Sequence, residues 1–142
     1  MGYNVNTIMK ELQHLACKQI KKIYINHGAR EPLYGVRTRD LQPFVKKIKI
    51  DYELSIKLYE TGNYDAMYLA GLIADSQKMS KEDFYNWIEK AYCHGLSDYT
   101  VAPVLAKSNF AQKIADEWIN SQNELYQSAG WTCYCQLLKS KN

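Results

Sequence analysis

Apolar residues recur along this chain at intervals of three and four, and no stretch shows the one-by-one alternation of a β-strand. Leu41, Phe44, Val45 and Ile48 fall at i, i+3, i+4 and i+7, one face of a helix. Val5, Ile8, Leu12 and Leu15 repeat the pattern, as do Phe84, Trp87, Ile88, Ala91 and Tyr92, then Phe110, Ile114 and Trp118. Tyr126, Gly130, Cys133 and Leu137 line the last such face. Residues that start or stop helices separate these segments. Asn4 or Asn6 caps the first, and Gly28 follows a second that runs from Lys18 to His27 with Ile20, Ile23, Tyr24 and His27 on one face. Thr38 or Asp40 caps the third, whose first turn tolerates Pro43 because a missing N–H costs little there. Further caps are expected at Asp51, Asn63, Ser80, Ser97, Asn109 and Ser121, the last opening the capping-box pattern Ser-Gln-Asn-Glu. Pro103, inside the helix after Ser97, is expected to bend it.

About nine short helices joined by tight turns make an all-α chain. They also pair. Tyr59 and Gly71 are twelve residues apart, as are Trp118 and Gly130, with Asn63 and Asn123 between as caps. This weak repeat points to an α-α superhelix of stacked HEAT- or armadillo-like helical hairpins, whose concave side is a groove. Ala70-Gly71 and Ala129-Gly130 would let neighbouring helices approach closely. At 142 residues the expectation is one domain, 1–142, with a single core.

The net charge of +3 is unevenly placed. Between residues 18 and 49 nine lysines and arginines face only Glu31 and Asp40, a net +7, whereas residues 50–142 carry −4. A basic block on a neutral-to-acidic body suits phosphate contact, although lysine-rich helices are also often merely solvated. The four cysteines, Cys17, Cys93, Cys133 and Cys135, match no zinc spacing and read as reduced, mostly buried thiols of a cytoplasmic protein. No metal motif, nucleotide fingerprint or glycine-rich phosphate loop is present, so no cofactor is expected. No apolar run approaches a membrane span, and oligomeric state is left open, a monomer being one outcome. His27 reads as a helix-closing residue rather than a ligand. Cys93, His94 and Asp98 can be drawn as a nucleophile, base and acid, but a core thiol is the simpler reading of Cys93. Trp87 and Trp118 sit on apolar stripes, while Trp131 lies off its helix's stripe and is the candidate surface aromatic.

The run His27-Gly28-Ala29-Arg30-Glu31-Pro32-Leu33-Tyr34-Gly35-Val36-Arg37, followed by Asp40-Leu41, resembles the opening of the DNA alkylation repair family, helical-repeat DNA glycosylases of bacteria. Leu58-Tyr59, Ala66 to Ala70, Tyr99-Thr100-Val101 and Glu117-Trp118-Ile119 extend the resemblance over about residues 8 to 138. It implies a curved solenoid that cups double-stranded DNA and excises cationic N3- and N7-alkylated purines. An anionic group would stabilise the oxocarbenium-like transition state, aromatic residues would pack on sugars, and cations would hold phosphates.

The +7 block and the resemblance around Gly35-Val36 together make Arg30, Arg37, Arg39, Lys46 and Lys47 the expected phosphate contacts. Tyr99 or Trp131 would be the lesion-side aromatic. The family's Trp-Asp-x-Val-Asp segment is here Asp98-Tyr99-Thr100-Val101-Ala102, so Ala102 stands where the essential aspartate is usual. Asp98 lies one helical turn earlier, about 6 Å along the axis, and is the candidate catalytic carboxylate or simply an acid at a helix start. Gln127 stands where many members carry a phosphate-binding arginine; it can bond phosphate but not neutralise it. The alternative function is a catalytically inactive helical-repeat module that binds DNA or another protein.

Overall fold

Side-chain caps set where several helices begin. The computed structural model describes residues 3–140; positions 1 and 142, the ends of the expected single domain, lie outside that range. Asn4 accepts the Thr7 N–H at 2.9 Å and starts α1 (Val5–His14). Asp51 accepts from Leu54 N–H and starts α4 (Tyr52–Glu60), and Asn63 accepts from Ala66 N–H and starts α5 (Tyr64–Ile73). Ser80 and Asp83 form a reciprocal capping box at α6 (Lys81–Lys90), so aspartate serves where glutamate is usual. Gly28, at φ +104°, follows α2 (Lys18–Asn26) as expected.

Other caps differ from the sequence expectation. Neither Thr38 nor Asp40 caps α3 (Gln42–Ile48); a 3₁₀ turn over Thr38–Leu41 feeds into it, with Pro43 in the first turn. Asn109 does not cap α9 (Ala111–Ile119); the Ser108 hydroxyl accepts the Phe110 N–H instead. At α10 (Glu124–Ser140) the Asn123 expected from the repeat receives the first-turn N–H groups, whereas Ser121 accepts the Asn123 N–H and does not cap the helix. Ser97 lies inside a helical run rather than at its start. That run begins as α7 (His94–Leu96), passes through a π-turn over Ser97–Val101 and continues as α8 (Ala102–Ala106). The π-turn directly precedes Pro103, the residue expected to disturb the helix. Counted as one run, these segments bring the helices to nine, and among the described residues no strand occurs.

The chain divides between Ala74 and Asp75 into two compact units. In the first, α4 packs on α5, with α1 against both and α3 against α5. Ile8, Leu12, Leu58, Tyr59, Leu69 and Ile73 fill its core. In the second, α10 packs on α9, on α8 and on the π-turn, over Phe84, Trp87, Ile88, Ile114 and Trp118. Each unit thus contains one of the two helix pairs in the weak repeat. A Cβ on Gly130 would lie 2.8 Å from Ile119 Cγ2 and 3.0 Å from its backbone nitrogen, so glycine permits the α9–α10 approach.

α2 departs from its expected face. None of its residues is fully buried, and Ile23 is 48% exposed. It is tied down by the chain that follows it, and its Tyr24 ring packs on Tyr64 of α5 with centroids 5.2 Å apart. Cys93 and Cys133 are buried, but Cys17 is half-buried and Cys135 exposed, so the thiols are less uniformly internal than expected.

Candidate nucleic-acid interface

In the first unit the basic block is built around a clamped loop. Asp65, 2% exposed in the first turn of α5, accepts three consecutive backbone N–H groups. Oδ2 takes those of Tyr34 at 2.6 Å and Gly35 at 3.1 Å, and Oδ1 takes that of Val36 at 2.9 Å. Charge-assisted bonds of this kind are about twice as strong as neutral ones. The Tyr64 N–H donates to the Pro32 carbonyl, and the Cys17 N–H to that of Gly35. The Tyr24 hydroxyl donates to the Val36 carbonyl at 2.7 Å. Gly35 has φ +81°, and a Cβ there would stand 2.5 Å from the Lys21 backbone nitrogen. Glu31 pairs with Lys21 at 2.7 Å, neutralising one lysine of the block.

The loop ends at Arg37. Ile20, Tyr24, Arg37, Thr38 and Arg39 line a surface hollow of about 320 Å³, so two guanidinium-bearing residues share one concavity beside a tyrosine. Lys46 and Lys47 are exposed in the last turn of α3, where the helix dipole also favours cations. Arg30 is exposed just before the Glu31–Pro32 turn. The Cys17 thiol is drawn below its ordinary pKa chiefly by the Ile20 N–H, with the Gln19 N–H and Arg37 assisting and burial opposing.

Burial, with the negative charge of Asp65 as the next cause, pushes the Tyr24 phenol up to about 12. A raised phenol pKa means that the folded state favours the protonated form. That contribution is whole below the unfolded value near 10 and is lost as pH rises through 12. Wild type is therefore expected to lose thermal stability between about pH 10 and 12 more steeply than Tyr24→Phe, as read by melting curves at stepped pH.

The second unit carries the remaining candidates. Asp98 lies in the π-turn with its side chain 18% exposed. Its carboxylate accepts from Ser97 Oγ at 3.0 Å and from Ser128 Oγ at 2.7 Å, and His94 Nδ1 lies 3.3 Å away. His94 Nε2 is 3.5 Å from Glu124 Oε2. Asp98 is therefore more than an acid at a helix start. Glu124, Ser128 and Trp131 follow one face of α10, at i, i+4 and i+7. Tyr99 and Trp131 are 66% and 58% exposed, whereas Trp87 and Trp118 are core residues.

Ala102 is fully buried. Four residues earlier, within the π-turn, Asp98 keeps part of its carboxylate open. The Gln127 amide donates to the Ser121 carbonyl and helps close the turn before α10. Cys93 is buried at the start of α7, in keeping with a core thiol. Among the described residues no three metal-ligating side chains converge, and no helix is long and apolar enough to cross a membrane.

The model of the DNA alkylation repair enzyme family matches residues 8–142. The chain belongs to that family. It is 32% identical over 132 residues to the uncharacterized protein Lin0241 of Listeria innocua and 33% identical over 132 residues to the uncharacterized protein Lmo0209 of Listeria monocytogenes. Each match takes in 89% of this chain and 58% of the relative. A solved structure, described as a new family of proteins related to the HEAT-like repeat DNA glycosylases with affinity for branched DNA structures, shares 54% identity at a TM-score of 0.92. That match covers 96% of this chain and 58% of the other. The fold is thus the HEAT-like helical one that the repeat suggested, and this chain spans little more than half the length of the relatives it matches.

Asp65 was not legible as a site residue. In the sequence it looks like an ordinary first-turn acid, and nothing local marks its three loop partners, which lie about thirty positions earlier.

Proposed function

We propose that this alkylation-repair family member binds DNA through its phosphates, with a preference for branched over continuous duplex. The observation that carries the reading is the hollow shared by Arg37 and Arg39, at the end of a loop whose backbone is hydrogen-bonded to a buried carboxylate. Arg30, Lys46 and Lys47 add exposed cations around the same stretch of chain. Tyr99 and Trp131 are aromatic surfaces on which sugars or unpaired bases can stack. The preference for branches comes from the similarity to the solved protein with affinity for branched DNA structures.

A labelled four-way junction and a duplex of equal length, titrated by fluorescence anisotropy from 50 to 200 mM salt, test the reading. The junction should bind more tightly, and log Kd should rise steeply with log salt, by about 0.9 per phosphate neutralised. A flat salt response would leave a protein-binding module instead.

A second reading, excision of cationic alkylated purines, is favoured by one observation. Asp98 is a partly exposed carboxylate held by two hydroxyls and a histidine beside the exposed Tyr99. Such a group can stabilise an oxocarbenium-like sugar electrostatically. Release of 7-methylguanine by wild type that Asp98→Asn loses would support it, and equal release by both would remove Asp98 from the chemistry.

A further inference from the structure

Arg37 and Arg39 grip a phosphate more tightly when the chain delivers them in a constant direction. An arginine on an untethered loop would spend part of its binding energy on ordering that loop. Here the three residues before Arg37 cannot wander without breaking bonds to Asp65. Tyr34, Gly35 and Val36 present their N–H groups in succession to one carboxylate, and that carboxylate is 2% exposed. Successive N–H groups of this kind make a concavity able to hold an anion. Asp65 fills it from within the protein, so the anion is an orienting strut and not a ligand. The other side of the loop is fastened by the Tyr24 hydroxyl on the Val36 carbonyl and by the Cys17 N–H on that of Gly35.

Resting on the proposed phosphate contacts, we infer that Asp65 is a positioning residue for nucleic-acid binding: it sets the orientation of Arg37 and Arg39 without touching DNA. The substitution Asp65→Asn separates this role from bulk stability. The amide keeps the size but removes the negative charge, and its NH₂ cannot accept an N–H, so at least one of the three loop donors loses its partner. The helix pair α4–α5 retains its core, because among the described residues the carboxylate's three hydrogen bonds go to loop backbone.

Five proteins carry the test: wild type, Asp65→Asn, the double variant Arg37→Gln/Arg39→Gln, the triple variant and Tyr24→Phe. All are titrated with junction DNA at two or more salt concentrations. Asp65→Asn should weaken binding roughly tenfold and flatten the salt dependence, because badly aimed guanidiniums neutralise fewer phosphates. In the Arg37→Gln/Arg39→Gln background it should change nothing, whereas a purely structural defect would weaken both backgrounds equally. Tyr24→Phe loosens the opposite side of the loop without touching a charge and should weaken binding about threefold. It stands in for Asp65→Asn if that variant does not fold. Wild-type affinity in both variants would overturn the positioning role while leaving the DNA reading intact. Failure of wild type itself to bind any of these DNAs would overturn the DNA reading and the role of Asp65 with it.

Discussion

Replacement of Gly35 by alanine is expected to destabilise the protein by about 2–5 kcal/mol. Two costs combine. The backbone at φ +81° lies in the left-handed region, where a Cβ costs about 1–2 kcal/mol. The new Cβ would also stand 2.5 Å from the Lys21 nitrogen and 2.7 Å from the Cys17 carbonyl, both backbone atoms of the first turn of α2. Neither can yield like the end of a flexible side chain, and overpacking of this kind costs about 1–3 kcal/mol. Moving the loop away would break the Cys17 N–H bond to Gly35 and strain those to Asp65. Gly62 is the internal control. Its φ is +74°, but a Cβ there meets nothing within 4 Å, so Gly62→Ala should cost only about 1 kcal/mol. Urea titration of both variants reads the difference directly. Equal midpoints would mean that the loop is not pressed against α2 as described.

Neutralising Arg37, Arg39, Lys46 and Lys47 together is expected to abolish most of the salt dependence of DNA binding. Four phosphate contacts contribute a slope of about 3.6 in log Kd against log salt. Between 50 and 200 mM salt the wild type should therefore lose roughly 100-fold more affinity than the quadruple glutamine variant. The four side chains end in water or in an open hollow, so the melting temperature should hardly change. A matched control removes the same charge from the second unit, at Lys78, Lys90, Lys107 and Lys139. If binding depends only on net charge, the two quadruple variants will behave alike. If it depends on the cations after the clamped loop, only the first set will lose its slope.

Much of this molecule is local, and the local part could be read from residues alone. A three-to-four residue apolar repeat needs no partner to reveal a helix, and a cap such as Asn4, Asp51 or Asn63 acts within three positions of itself. Hence the all-α class, the nine helices among the described residues, the two hairpins around Tyr59–Asn63 and Trp118–Asn123, and the split of tryptophans into two core residues and one surface residue all follow from spacing. The caps that were misassigned show the limit. Ser97, Asn109 and Ser121 have the right chemistry for a helix start, but the hydroxyl or amide that wins depends on where the neighbouring helix docks.

What only the tertiary structure decided is long-range. The three loop N–H groups around Gly35 find Asp65 across about thirty residues, and Asp98 finds Ser128 across thirty more. No periodicity encodes such a meeting, because it is set by the packing of α4 on α5 and of α10 on the π-turn rather than by either partner's own sequence neighbours. Packing likewise buries Ala102 completely while leaving the Asp98 side chain partly open, a difference that the residue types alone do not carry. Composition placed the positive charge in residues 18–49, but a buried carboxylate from outside that block holds the loop that carries it.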